Sequence, residues 1–316
     1  MSELARSGGF GVDQRPLPGA RRLRTATPGR PNVLLLANGN ASGIRGHLEA
    51  IDQAAYMLRS WGARVEATRT CSPDELDHLV SEEERRVVLL GGDGTLHAVA
   101  NVYGHKPEVA LLPLGRANNI ARALGVPLDL DAAARLAVHG RPHDLDGISV
   151  RAPGLSMIAL EGVSVGFHAQ ARARYRGVNS ADTAAGVSAA LRALVRFAPV
   201  AVALEVDGEF QMRRLGQLFV VNFPLFGPRL PVAPSANPAD GLLELVELDA
   251  RGRISLAAQF ARLQRGTHLG RDAVRIRPVR RVRIATDGPV VADTTILSGP
   301  IELAVQPRTI RVVGRA

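Results

Sequence analysis

The sequence is short of several things. It has a single cysteine, Cys71, so no disulfide can close within the chain and a reducing compartment is expected. It has a single lysine, Lys106, so arginine carries almost all of its 39 basic side chains. Aromatic residues make up 4% of the chain, and no zinc-finger spacing, RNA-recognition signature or basic heptad region is present. That combination argues against nucleic acid as a partner. No apolar run reaches the roughly eighteen residues of a membrane span. The nearest stretch, "VSAALRALVRFAPVAVALEV", is broken by Arg192, Arg196 and Pro199 and reads as a helix followed by a strand. The first thirty residues lack the apolar centre of a secretory signal and read as a disordered basic arm. Together these absences predict a cytoplasmic protein whose membrane contact is peripheral.

What is present is positive charge on a globular composition. The net charge is +9 and the pI about 11.0, with 46% hydrophobic residues. Such an excess favours anionic partners, either phosphorylated ligands or an anionic membrane surface. The 316 residues suffice for two domains.

From Pro31 to about Gly140, aliphatic runs alternate with helical stretches. "NVLLLAN" (32–38), "ARVEAT", "RRVVLLGG" and "EVALLPLG" read as strands. Helices are predicted over 46–62, from Ser72 as N-cap with Pro73 behind it, from about Thr95, and through "NNIARALG". This βαβαβαβα order implies a parallel sheet covered by helices, with ligands beyond the carboxyl ends of its strands. The texture changes after about Asp144: short apolar runs separated by Gly, Pro and Asp turns predict a mostly antiparallel β domain, with helices near 181–197 and 253–265. The expected boundaries are 1–30 for the arm, 31–143 for an α/β nucleotide-binding domain and 144–316 for a β-rich, lipid-binding C-terminal domain. The last strand is a candidate to return to the first domain. His139 and His143, beside Asp144 and Asp146, read as part of a polar interdomain linker rather than a metal site.

Three loops fall at the ligand edge: "ANGNASG" (37–43), "GGDGT" (91–95) and "PLGRANN" (113–119). Glycines let a phosphate approach the main chain, whose amides and following helix N-terminus can hold it. Asp93 could hold a magnesium–nucleotide complex or its water. Alone, the stretch reads equally well as a tight turn with Asp93 capping the helix. The second glycine loop, with Gly115 at the turn and Asn118-Asn119 at the helix entrance, makes a nucleotide crevice of the pair. There is no Walker A lysine.

These motifs, with "APSANPADGLLELVEL" (233–248), resemble in order those of the diacylglycerol-kinase catalytic-domain family, which includes bacterial soluble lipid kinases and sphingosine and ceramide kinases. The resemblance implies transfer of the γ-phosphoryl of Mg2+-ATP to a lipid hydroxyl, diacylglycerol-like or sphingoid, with a second copy of the chain open as a partner. It implies a nucleotide site of Asn38, Ser42, Gly43, Thr70, Gly91, Gly92, Asp93, Gly94, Thr95, Gly115, Arg116 and Asn118. It also implies a structural magnesium near Asp240, with Asn237 and Leu242 contributing carbonyls, although Asp240-Gly241 before an apolar strand is also an ordinary turn.

The chain departs from the family's pattern at several positions. Ala98 stands where a glutamate is usual after GGDGT, Arg116 replaces a threonine, and Asn119 replaces the aspartate of an Asn-Asp pair. Pro289 follows Asp287-Gly288 where the family's base, a glutamate, is expected. Asp93, Asp287 and Asp293 are then the candidate catalytic acids. The alternative is a catalytically impaired nucleotide- or lipid-binding relative. Two minor alternatives are NAD kinase-like activity and a serine hydrolase built on Gly162-Val163-Ser164-Val165-Gly166, which needs a strand–turn–helix setting with an acid and a histidine. The basic clusters 172–176 and 277–283 face phosphate or membrane, or are solvated faces.

Overall fold

The computed structural model describes residues 31–39, 49–70, 85–174 and 183–315, with the backbone alone at 183–187 and 189. The arm expected over 1–30, Ser42 and Gly43 of the first loop, and the helix expected from Ser72 lie outside the described residues.

Four aliphatic runs form strands β1 (Asn32–Asn38), β2 (Arg64–Thr70), β3 (Arg86–Gly91) and β4 (Glu108–Pro113). They lie in the order β2-β1-β3-β4, every pair parallel. Helix α1 (Glu49–Ser60) turns Ala54, Ala55 and Leu58 inward, and α2 (Asp93–Tyr103) buries Leu96, Val99 and Ala100, the i, i+3, i+4 spacing of a core-facing stripe. A short α3 (Asn119–Ala123) and α4 (Leu130–His139) follow β4, with the Asp129 side chain accepting from the Ala132 amide at 2.9 Å to cap α4. Helices on both faces explain why β1, β3 and β4 are aliphatic almost throughout rather than alternating.

The chain then forms β5 (Arg141–Ala152), β6 (Leu155–Ala159), β7 (Gly162–Gly166), β8 (Val200–Val206), β9 (Glu209–Leu215), β10 (Gln217–Val221), β11 (Leu243–Leu248), β12 (Val274–Val279), β13 (Arg281–Ala285), β14 (Val290–Ala292), β15 (Thr295–Leu297) and β16 (Ile301–Gly314). Helices α5 (Phe167–Arg174), α6 (Thr183–Val195) and α7 (Arg253–Gln264) interrupt them. The fold is thus an α/β N-terminal part with parallel strands and a mostly antiparallel β sandwich. Strand β16 joins the two. Its first half pairs antiparallel with β13, Arg311 and Val312 pair parallel with β4, and β5 runs antiparallel along nearly all of it. Of the segment read as an interdomain linker, His139 ends α4, while His143, Asp144 and Asp146 lie in strand β5. Its partner lies far along the chain, which a local reading of its histidines and acids could not register.

The second sheet, β12-β11-β10-β7-β14-β15, packs on the far half of the first through Val163, Val165, Leu218, Val220, Val202 and Leu204. Its period-2 alternation turns Phe219 and Val221 the other way, onto Phe226, Val232 and Leu263. Helices α5, α6 and α7 close that outer side around Phe167, Phe197, Leu256 and Phe260.

Candidate functional site

The carboxyl ends of β1, β3 and β4 meet at one edge of the parallel sheet, and the glycine loops begin there. The Leu114 amide donates to the Gly91 carbonyl at 2.7 Å, drawing the β4 loop onto the β3 loop. The two backbones then touch: a Cβ on Gly92 would lie 2.9 Å from the Gly115 Cα, and one on Gly115 would lie 2.8 Å from the Gly92 Cα. Neither position has room for a side chain. From β1, Asn38 donates through Nδ2 to Thr95 Oγ1 at 3.1 Å. Thr70 pairs with Asn38 across β1–β2, and its carbonyl accepts from the Gly39 amide at 2.8 Å. Arg116 is exposed at the tip of the β4 loop.

Asp93 opens α2 and spans to the next helix. Its Oδ2 accepts from the Asn119 amide at 2.9 Å and its Oδ1 from the Ile120 amide at 3.1 Å, so it serves as the acidic cap of α3. Asn119 is the hub of the site. Its Nδ2 donates to Glu161 Oε2 at 2.8 Å and to the Gly227 carbonyl at 2.9 Å. Asp293 completes the cluster. Its carboxylate accepts from the amides of Leu160, Glu161 and Gly162 at 2.7, 3.1 and 2.9 Å, and His97 Nε2 lies 3.6 Å from its Oδ2. His97 Nε2 is also 2.6 Å from the Ile158 carbonyl, to which it donates, and Asn101 exchanges two bonds with the Ile158 backbone. These contacts dock α2 onto β6.

Three carboxyl groups thus share one buried space. Burial raises the pKa of Glu161 well above the carboxylate range, and the charges of Asp93 and Asp293 raise it further. Burial raises Asp93 too, against the pull of the Asn119 and Ile120 amides and with a smaller push from Asp293. Asp293 is raised by burial, opposed by His97 and its three amides. The cluster therefore holds protons to higher pH than free carboxylates would. Beside it, Asn118 Oδ1 and Asn119 Oδ1 are buried acceptors without a hydrogen-bond partner, and Asn118, at φ 50, bonds back through Nδ2 to the Gly115 carbonyl at 2.7 Å. Buried acceptors without donors call for a ligand or water that donates, or for a cation.

Of the residues singled out from the sequence, Asn38, Thr70, Gly91, Gly92, Asp93, Thr95, Gly115 and Asn118 converge on this edge, and Asp293 lies directly behind Asp93. Asp287 does not join them: it is exposed on the turn between β13 and β14, where Thr286 Oγ1 donates to the Ala201 carbonyl of β8. Glu161 was not expected as a site residue, and Asn119 was expected at the entrance of the second loop's helix but not as a partner of Glu161. The one signal for Glu161 was an acid alone inside the apolar run "LSMIALEGVSVGF". Asn237, Asp240 and Leu242 lie on a separate loop. Asn237 Oδ1 accepts from the Ala239 amide at 3.2 Å and Asp240 Oδ1 from the Leu242 amide at 3.0 Å, while Asp146 ties the loop to β16 through the Gly241 and Arg308 amides. Among the described residues no three His, Cys, Asp or Glu side chains gather to hold a metal. The Asn237 and Asp240 side chains thus serve as turn acceptors in this loop.

The Gly162–Gly166 stretch is an antiparallel strand, but α5 follows it directly, so a strand–helix setting is present after all. Ser164 Oγ even lies 2.8 Å from His168 Nδ1. Ser164 is nonetheless 0% exposed in mid-strand, between Phe219 of β10 and Val291 of β14. A nucleophile there meets no substrate. No described helix is long and apolar enough to cross a membrane.

Comparison with known proteins agrees with this architecture. Residues 32–150 match the diacylglycerol kinase catalytic domain, and residues 161–314 match the YegS C-terminal NAD kinase beta sandwich-like domain. A Stenotrophomonas maltophilia protein called probable lipid kinase YegS-like is 30% identical over 151 residues, 44% of this chain and 48% of that one. A Salmonella arizonae protein called probable lipid kinase YegS is 33% identical over 125 residues, 37% of this chain and 40% of its own length. The matched stretches thus span less than half of either relative. A crystal structure of a diacylglycerol kinase from Bacillus anthracis str. Sterne superposes with a TM-score of 0.65 at 15% identity, covering 92% of this chain and 98% of that one, which speaks to the fold alone. The chain thus carries a diacylglycerol kinase catalytic domain over residues 32–150, followed by a YegS C-terminal NAD kinase beta sandwich-like domain over residues 161–314.

Proposed function

We propose that the chain is an ATP-dependent lipid kinase that transfers the γ-phosphoryl of Mg2+-ATP to the hydroxyl of a diacylglycerol-like or sphingoid lipid, working from the cytoplasm on a lipid offered at a membrane surface. The observation that carries this reading is the contact of the Gly92 and Gly115 loops directly above a buried trio of carboxyl groups. The open backbone at Gly94, the N-terminus of α2 and the exposed Arg116 suit the phosphates of a nucleotide. Positioning and charge stabilisation would supply most of the rate.

In this reading the lipid hydroxyl oxygen attacks the γ-phosphorus, the bond from that phosphorus to the β–γ bridging oxygen breaks, and ADP leaves. The hydroxyl proton passes to Asp93, the most open carboxylate of the cluster, made more basic by burial and by Asp293. Glu161 and Asp293 are positioning groups behind it. Magnesium enters as part of the nucleotide substrate. Incubating the purified chain with labelled Mg2+-ATP and a panel of diacylglycerols and sphingoid bases tests the proposal; absence of label in every lipid would overturn it.

A second reading has its own support. With Asp287 exposed and Pro289 beside it, the position expected for the base offers no acid to the site. A protein that binds ATP yet labels no lipid would be a binding member of the family.

A further inference from the structure

Several arginines on the sandwich strands have carboxylate partners: Arg213 with Glu247 at 3.2 Å, Arg283 with Glu205 at 3.3 Å, Arg281 with Glu302 at 3.6 Å. The cluster 277–283 is thus partly neutralised by carboxylates on neighbouring strands. Helices α5, α6 and α7 differ. None of the three contains an aspartate or glutamate, and neither do the longer stretches 183–204 and 250–271. Among the described residues Arg192, Arg196, Arg251, Arg253 and Arg262 are exposed and make no ion pair.

The same helices carry exposed aliphatic side chains. Leu191 and Val195 of α6 are 57% and 62% exposed, and Ile254 in the first turn of α7 is 88% exposed. The i, i+4 spacing sets Leu191 above Val195 and Arg192 above Arg196, giving two parallel stripes, one apolar and one basic. The end of α6 and the start of α7 are neighbours, because Phe197, Ala250 and Leu256 form one buried cluster with Leu194 and Phe260 packed against it. Exposed aliphatic side chains and unpaired guanidinium groups thus leave the surface from two adjoining segments.

We propose that this α6–α7 face docks the protein on an anionic glycerophospholipid bilayer. The arginines meet lipid phosphates while Leu191, Val195 and Ile254 enter the interfacial region. A polyanion such as nucleic acid would engage the arginines but leave the aliphatic side chains in water, so the pairing of the two favours lipid. The face is one helix from the carboxylate cluster. Phe167, which opens α5, packs on Phe197 and Phe260 at ring separations of 6.4 and 5.0 Å, and its neighbour His168 meets Phe226 edge-on at 5.3 Å, beside the Gly227 whose carbonyl holds Asn119. Docking there would present the site to the membrane. The inference rests on the lipid-kinase reading for its purpose, but not for its test.

The test is sedimentation of the full chain with vesicles, without ATP. Phosphatidylcholine vesicles are compared with vesicles of phosphatidylcholine and phosphatidylglycerol, at low and high salt. The wild type is expected to bind only the anionic vesicles. Triple charge reversal (R192E, R196E, R253E) is expected to weaken that binding by about a hundredfold, given the contribution of each basic residue near such a surface. The triple aliphatic variant (L191S, V195S, I254S) is expected to bind in low salt and be released in high salt, where the wild type stays bound. Because a multiple variant could misfold, Ile254→Trp supplies a gain of signal: its fluorescence should shift to the blue on anionic vesicles only. Unchanged binding by both triple variants, no shift, or equal capture of duplex DNA by the wild type and the aliphatic variant would overturn the proposal. Vesicle binding without phosphoryl transfer to any lipid would leave docking standing and sink the kinase reading. Transfer to a short-chain soluble acceptor without vesicle binding would do the reverse.

Discussion

The Asp93 carboxylate accepts hydrogen bonds from two successive amides, those of Asn119 and Ile120, at 2.9 and 3.1 Å. An acid at the start of one helix thereby caps the start of the next. Asp93 is therefore a capping residue, though not of the helix it opens, whose N-cap is Gly92 with no side-chain bond; through the α3 cap it ties the second glycine loop to the first.

Replacing Asp93 should therefore affect stability as well as chemistry. Two bonds from amides to a charged acceptor are lost in Asp93→Ala, and a destabilisation of about 2–4 kcal/mol is expected. Asp93→Asn keeps one acceptor oxygen and should lose roughly half as much. Both should lose phosphoryl transfer. Urea unfolding, measured alongside lipid labelling, separates the effects; an Asp93→Asn protein with full activity would remove Asp93 as the proton acceptor.

The contact of Gly92 and Gly115 predicts an uneven response to alanine. A Cβ on Gly115 would meet Asn118 Oδ1 at 2.5 Å and the Gly92 Cα at 2.8 Å, so Gly115→Ala must push the loops apart. A cost of about 1–3 kcal/mol is expected, with loss of ATP affinity. A Cβ on Gly94 would meet nothing within 4 Å. Gly94→Ala should change stability by no more than about 0.5 kcal/mol while still weakening ATP binding, because the methyl group stands where a phosphate would approach. Melting curves and ATP titration of the two variants check this contrast.

How much of this could be read along the chain depends on distance in sequence. The parallel strands and the three glycine loops are local signals: aliphatic runs that end in Gly91-Gly92 or Pro113-Leu114-Gly115 mark their own ends. The carboxylate cluster is not local. Glu161 meets Asn119 across 42 residues and the Asp293 side chain across 132, and nothing in "LSMIALEGVSVGF" states that its acid turns toward either. Asp287 drew notice through its Asp-Gly neighbours, yet the acid that reaches the site is Asp293, held at φ 47 by three amides from another strand turn. The second half of β5, "GISVRA", reads as a strand by itself, while its first half, 141–146, does not, since its partner is the distant strand β16.

Glu161 predicts a pH dependence of stability with a definite sign. Its folded pKa is raised well above 4.5 by burial and by Asp93 and Asp293. Above the unfolded value, the unfolded chain gives up this proton more readily than the folded one, so stability falls as pH rises from about 4.5 toward the raised folded value. Glu161→Gln keeps the acceptor for Asn119 and removes the charge. It should be more stable than the wild type at neutral pH, with the advantage disappearing in acid. Equal unfolding midpoints at pH 7 would mean that the site hydrates Glu161 in solution.

His168 predicts the opposite slope. Its imidazole is pushed down to about 4 from 6.5 by burial, with the charge of Arg172 adding to the effect. The folded protein thus holds it neutral while the unfolded chain protonates, so stability is lost as pH falls from 6.5 toward about 4. The loss attributable to this group could reach about 3 kcal/mol. His168→Gln removes the titration and retains a polar partner for Ser164, so its stability should fall less steeply across that window. The measurement is a series of urea unfolding curves for both proteins through the acid range. Parallel slopes would show that His168 gains a proton without unfolding, and that the Ser164–His168 pair is open to water rather than sealed between β7 and α5.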